Sequence, residues 1–161
     1  MKSRPFTWKS VVLTFVVALG FYLAAYSWLH RKQTERGPWR VNFTTNSAGT
    51  PAIAVAQPAL GISNVTVQFS GEQLSPGNGT GVVAFARPRQ IIPFGRVAFD
   101  DLMFQPGDVA LDCFGHLVEM APSTLGLNGV PLKWTNDSVY LLFPTNKLSP
   151  DARKKLKGGY R

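Results

Sequence analysis

The residues best equipped for chemistry crowd into one short stretch, where Asp108, Asp112, Cys113, His116 and Glu119 fall within twelve positions. The stretch contains the single cysteine of the chain and one of its two histidines; the other is His30. Two chemistries are open to it. His116 with Asp112 and Glu119 would offer a metal ion three donors, and Cys113 beside His116 would be a thiol with a base at hand to make it a thiolate. Strand geometry counts against both. In a continuous extended run, Asp112, Phe114 and His116 share one face while Cys113 and Leu117 share the other. A turn at Phe114-Gly115 would instead bring Asp112 and His116 face to face across a hairpin, as an ordinary polar pair. In either case Cys113 follows Val109 and Leu111 at period 2 and reads as a small buried hydrophobe. One histidine without HExxH-like spacing makes a poor zinc site. The segment is therefore expected to be structural, with no metal and no cofactor. Asp112, Cys113, His116 and Glu119 stand as the alternative site, that of a membrane-tethered enzyme or metal-binding protein.

Other reactive patterns are thin. Asp100 and Asp101 are adjacent, so in a strand their carboxylates point to opposite faces and cannot act as a paired acid and base; a turn or cap role is expected. No Gly-rich phosphate loop and no G-x-S-x-G appears. With one histidine in the main domain, most acid–base schemes lack a proton carrier. Four Asn-x-Ser/Thr triplets, beginning at Asn42, Asn64, Asn78 and Asn136, are glycan acceptors in a luminal domain, but the same residues also serve turns and outward strand faces.

Charge is distributed unevenly. The net charge is +8 and the pI about 10.0, yet residues 1–40 carry seven basic residues against one acidic, and residues 149–161 five against one. The intervening 108 residues hold five basic against seven acidic, a net of −2. The basicity thus belongs to the two ends, and the domain between them lacks the cationic face that tracking phosphates demands; no nucleic-acid partner is expected. At the C-terminus, Ser149-Pro150-Asp151 supplies an N-cap, a proline at the first helical position and an early acid, while basic residues crowd the last turn before Gly158-Gly159. A short cationic helix and tail follow. Arg31, Lys32, Arg153, Lys154, Lys155 and Lys157 are the residues expected to meet anionic lipid or a partner.

These groups need elements to position them. Residues 10–29 form a run of twenty without a charge, which as a helix would span about 30 Å, the thickness of the bilayer's hydrocarbon core. Trp8 precedes it and Tyr26 and Trp28 close it, at the depth where amphipathic rings prefer to sit. Read as a cleavable signal peptide, the chain would be cut after a small-x-small site at residues 25–27, but the apolar run exceeds the usual h-region of about 7–15 residues. An uncleaved transmembrane anchor is the expectation. Basic residues flank both ends nearly equally; the short leader favours retention in the cytoplasm and an extracytoplasmic (periplasmic or luminal) main domain.

Beyond the anchor, Gly and Pro recur every few positions and period-2 alternation replaces helical spacing. Trp39, Val41 and Phe43; Val65, Val67 and Phe69; Val83 and Phe85; Val97 and Phe99; Val109, Leu111 and Cys113; Val130, Leu132 and Trp134; and Val139, Leu141 and Phe143 read as inward-facing rows. Turn residues stand at 46–49, 75–79, 105–107 and, most plainly, at Asn128-Gly129, the strongest hairpin signal. The predicted organisation is a basic leader at 1–9, a transmembrane helix at 10–29, a linker at 30–37, a β domain at 38–148 and a basic C-terminal helix and tail at 149–161. The fold class is mainly β, a small antiparallel sandwich or barrel-like domain behind one helix. The expected function is that of a membrane-anchored, non-enzymatic accessory, assembly or binding subunit, whose partners are the lipid bilayer and other membrane-complex subunits.

Overall fold

The computed structural model describes residues 8–75, 79–152 and 155, without the side chains of residues 30 and 32–34. The chain divides into two compact units, Met1–Glu35 and Arg36–Arg161.

The first unit is a single helix, α1 (Trp8–Thr34). Its apolar side chains surround the axis instead of forming one stripe: Phe15, Phe21, Tyr22 and Leu23 are all exposed. The Trp8–Leu29 portion, 22 residues, is long and apolar enough to cross a membrane, and none of it is buried inside the protein. The helix outruns the expected 10–29 at both ends and takes in residues 30–34, more than half of the expected linker at 30–37. Nothing in residues 30–34 breaks a helix, and the first breakers are Gly37 and Pro38. Thr14 folds its hydroxyl back on the Ser10 carbonyl at 2.8 Å, so its one polar group is satisfied within the helix.

The second unit is built from strands numbered in chain order. One sheet contains β1 (Arg40–Thr45), β2 (Pro51–Gln57), β3 (Ile62–Phe69), β4 (Gly81–Ala84) and β10 (Val139–Leu142), in the order β10-β3-β2-β1-β4. The other contains β5 (Arg96–Asp101), β6 (Asp108–Cys113), β7 (His116–Met120), β8 (Leu125–Leu127) and β9 (Val130–Leu132), in chain order. Every neighbouring pair is antiparallel except β10 and β3, which run parallel. A single cluster of buried side chains draws on both sheets: Phe43, Ile53, Val67 and Phe69 from the first meet Leu111, Cys113, Val118 and Leu125 from the second. Each fully buried aliphatic or aromatic side chain in it contributes about 1.5–3 kcal/mol relative to exposure.

Expectations about strand faces need correction at β5, β9 and β10; in β9, Val130 of the expected inward row is exposed. No expectation had been attached to β2. The central strand β2, which the sequence reading passed over, alternates Pro51, Ile53, Val55 and Gln57 inward with alanines at the other parity. Alanine is a poor strand former, so the pattern is faint in sequence. In β10 the phase is opposite to that expected: Val139, Leu141 and Phe143 are exposed and Leu142 is buried. Parallel pairing sets Tyr140 beside Val67 and Leu142 beside Phe69, both core residues of β3, and that register overrides a strand apolar at both parities. In β5 a bulge between Val97 and Phe99 leaves Val97 opposite Leu111 but Phe99 opposite Ala110, so the two side chains of the expected inward row separate to different faces.

Two hairpin turns share one geometry, the first with residues suited to it and the second in spite of Phe114. Asn128 and Gly129 take φ of 55° and 79°, and Phe114 and Gly115 φ of 52° and 87°, the paired positive values of type I′ hairpins. Gln57, buried, donates from Nε2 to the carbonyls of Gly37 and Pro38 at 3.0 and 3.1 Å and accepts from the Ala59 amide at 3.1 Å. That one side chain fixes where the backbone joins the β domain. At the other end, residues 150–152 are helical and Ser149 Oγ accepts from the Ala152 amide at 3.2 Å, the expected N-cap. The remainder of the expected C-terminal helix lies outside the described residues, apart from Lys155.

Candidate functional site

The turn at Phe114-Gly115 decides the fate of the Asp112–Glu119 group. It joins β6 to β7 in a register that sets Cys113 opposite His116 and Asp112 opposite Leu117. Directly opposed residues share a face, so Cys113 and His116 point to the core while Asp112 and Glu119 point away from it. The expected pairing of Asp112 with His116 is not formed: their faces differ. Asp112, almost wholly buried, instead accepts from Arg96 Nε at 3.1 Å and Nη2 at 2.9 Å. The four residues of the alternative site are therefore split between two faces of one sheet.

On the inner face, Cys113 is fully buried and its thiol lies 3.9 Å from the Phe94 carbonyl. Burial, with the charge of Asp112 adding to it, pushes this thiol up to about 12, so it stays protonated and a poor nucleophile at neutral pH. His116 is also fully buried. Its Nδ1 lies 3.1 Å from Nδ2 of Asn128, and its Nε2 has no hydrogen-bond partner. The imidazole is held below its ordinary value, first by burial and then by Lys147, with Glu72 and Asn128 acting in the opposite sense.

On the outer face, Glu119 lies over Gly126, where even a Cβ would fall 2.8 Å from the Glu119 Cβ. Together with Phe99, Asp108 and Pro131 they line a groove of about 270 Å³ floored by Ala110. Burial, and the neighbouring charge of Asp101, raise Asp108 above the ordinary carboxylate value. No lysine, arginine or histidine lines this groove, so its chemistry is that of an acceptor for donors or cations. Sequence reading marked Glu119 and missed the groove, because the bulge that brings Phe99 to its edge has no signature in residue type. Among the described residues no three His, Cys, Asp or Glu side chains gather as a metal-ligand set.

The remaining candidates sit apart from chemistry. Asp101, at the end of β5, accepts from the Met103 amide at 3.2 Å, the expected turn role, whereas Asp100 within the strand accepts from the distant Arg89 amide at 2.7 Å. Asn64 donates to Asp137 at 3.0 Å, and Asn136 ties the Ser63 amide and the Gly61 carbonyl at 3.0 and 2.8 Å. Asn42 is exposed on β1 and Asn78 lies outside the described residues. Of the basic residues expected to meet lipid or a partner, Arg31 and Lys155 are exposed; the Lys32 side chain, Arg153, Lys154 and Lys157 lie outside the described residues. Sequence reading did not anticipate an apolar row, Val139, Leu141 and Phe143, exposed on and just beyond the edge strand β10.

Comparison of the chain with protein-family models, with curated proteins and with solved structures gave no match.

Proposed function

We propose that the chain is a membrane-anchored, non-enzymatic accessory or assembly subunit. In this reading α1 remains uncleaved in the bilayer and the β domain, its sheets stacked as a sandwich over their common core, stands on the extracytoplasmic side to dock onto a larger membrane-associated complex. The observation that carries the reading is the helix whose apolar surface is exposed on every side, since in water such a surface is untenable and in lipid it is the solvated state. Two further features favour binding over catalysis. The only thiol and the histidine beside it are enclosed in the core, and an edge strand presents an apolar row to solvent, the kind of edge that natural sheets protect or pair.

The basic ends support a second contact to the same partner or to anionic headgroups. Exposed ion pairs are individually weak and screened over about 8 Å at physiological salt, so several must act together. The test is purification of the full-length chain from membranes in mild detergent. A stoichiometric partner that survives the gradient and is released by raised salt is the expected result; a chain that always migrates alone contradicts the assembly role.

A further inference from the structure

His116 sits where four parts of the β domain converge. It begins β7; Asn128 comes from the β8–β9 turn; Lys147 from the segment after β10; Glu72 from the chain just past β3; and Phe69 of β3 places its ring 6.0 Å from the imidazole. Two further bonds tie the segment after β10 to this point. The Leu148 amide donates to the Gly115 carbonyl at 3.1 Å, and Lys147 pairs with Glu72 at 2.5 Å. Strands β10 and β3 belong to one sheet and β7 and β8 to the other, so the contacts close one end of the domain from sheet to sheet.

Asn128 is the pivot. Its Oδ1 accepts from the Leu117 amide at 2.9 Å, while Nδ2 donates to the Asn146 carbonyl at 2.8 Å and faces Nδ1 of His116 at 3.1 Å. A backbone N–H is always a donor and a backbone C=O always an acceptor. The amide therefore has one orientation only: turning it over would set N–H against N–H at Leu117 and O against O at Asn146. With Nδ2 fixed as the donor, Nδ1 of His116 must be the acceptor and its proton must reside on Nε2. A doubly protonated imidazole would put two donors face to face at 3.1 Å and leave a buried charge whose Nε2–H has no acceptor.

We propose that His116 is an acid-sensitive latch: neutral, it accepts from Asn128 and the 144–148 segment stays fastened across the end of the two sheets; protonated, it cannot, and that segment is released. Burial and the charge of Lys147 oppose protonation, while Glu72 acts in the opposite sense. Glu72 is already committed to Lys147, and Cys113, opposite on β6, stays protonated and supplies no counter-charge. The segment so released leads within a few residues to Arg153, Lys154, Lys155 and Lys157, so acidification would free the cationic end of the chain from its fixed origin.

The experiment uses full-length protein in detergent micelles. Imidazole ¹⁵N shifts should report His116 as the Nε2–H form at neutral pH, assigned by the signal lost in His116→Asn. Amide protection at Leu148 and Leu117, corrected for the intrinsic pH dependence of exchange, should fall about tenfold per pH unit below about 6.5, since opening takes up one proton. Amides of β2 should not follow. In His116→Asn, which keeps an acceptor near the Nδ1 position and cannot be charged, that slope should vanish. Asn128→Asp, which offers Nδ1–H an acceptor, should raise the His116 midpoint by about one pH unit or more. A Nδ1–H tautomer in the wild type, protection at Leu148 that tracks the core strands at every pH, a slope retained in His116→Asn, or an unmoved midpoint in Asn128→Asp would each overturn the latch.

Discussion

Cys113 and Gln57 illustrate how a single side chain is judged by what surrounds it. The thiol is enclosed by the core and pushed up to about 12 from 9.0 in the unfolded chain. Below pH 9 both states hold the proton and stability is unaffected; between 9 and 12 the unfolded state alone loses it, so stability falls as pH rises through that window. Thiol-reactive reagents at pH 8 should accordingly label the native protein far more slowly than the urea-unfolded chain, and equal rates would show an open thiol. Gln57 makes the opposite case, a buried polar group with every bond satisfied. Gln57→Leu strips two carbonyls and one amide of partners and should cost about 1–3 kcal/mol in urea denaturation; an unchanged midpoint would mean that water substitutes for the side chain. The burial of Cys113 was legible from its place after Val109 and Leu111. The ties of His116 were not, because a turn at Phe114-Gly115 could be foreseen but not the convergence on the imidazole of Asn128, Lys147 and Glu72 from three other segments.

At the scale of elements, hairpins were legible and phases were not. Asn128-Gly129 requires positive φ at two successive positions and finds residues that tolerate it, so the β8–β9 turn follows from chemistry alone. Strand β10 offers apolar residues at both parities, and only its parallel neighbour chooses between them. The choice is measurable. Leu142→Ala should destabilise the domain by about 2–5 kcal/mol, as removal of a buried leucine does, whereas Leu141→Ala should stay within about 0.5 kcal/mol. Reversed costs would restore the inward row Val139, Leu141 and Phe143 expected from sequence. On the outer face of the second sheet, Gly126→Ala forces its Cβ against Glu119 and should cost about 1–3 kcal/mol. Shortening the neighbour in Gly126→Ala/Glu119→Ala should recover only part of this, since the contact extends to the Glu119 Cβ.

At the scale of the molecule, the division into an apolar helix and a β-rich domain is visible in the sequence because it rests on gross quantities: an uncharged run, and Gly and Pro punctuating everything after it. The helix boundaries are less so, as residues 30–34 are polar but not helix-breaking, and a hydropathy pattern does not register them. Exposure is less legible still, for the row Val139, Leu141 and Phe143 is local in sequence but its outward phase is set by strand β3, far earlier in the chain. On the reading proposed above, the apolar helix is retained and holds the chain in a membrane. Intact mass of the protein recovered from the membrane fraction tests it most directly. The claim predicts the full chain of 17.6 kDa, resistant to alkaline carbonate extraction; a shorter chain beginning near Trp28 and recovered in the soluble fraction would contradict it.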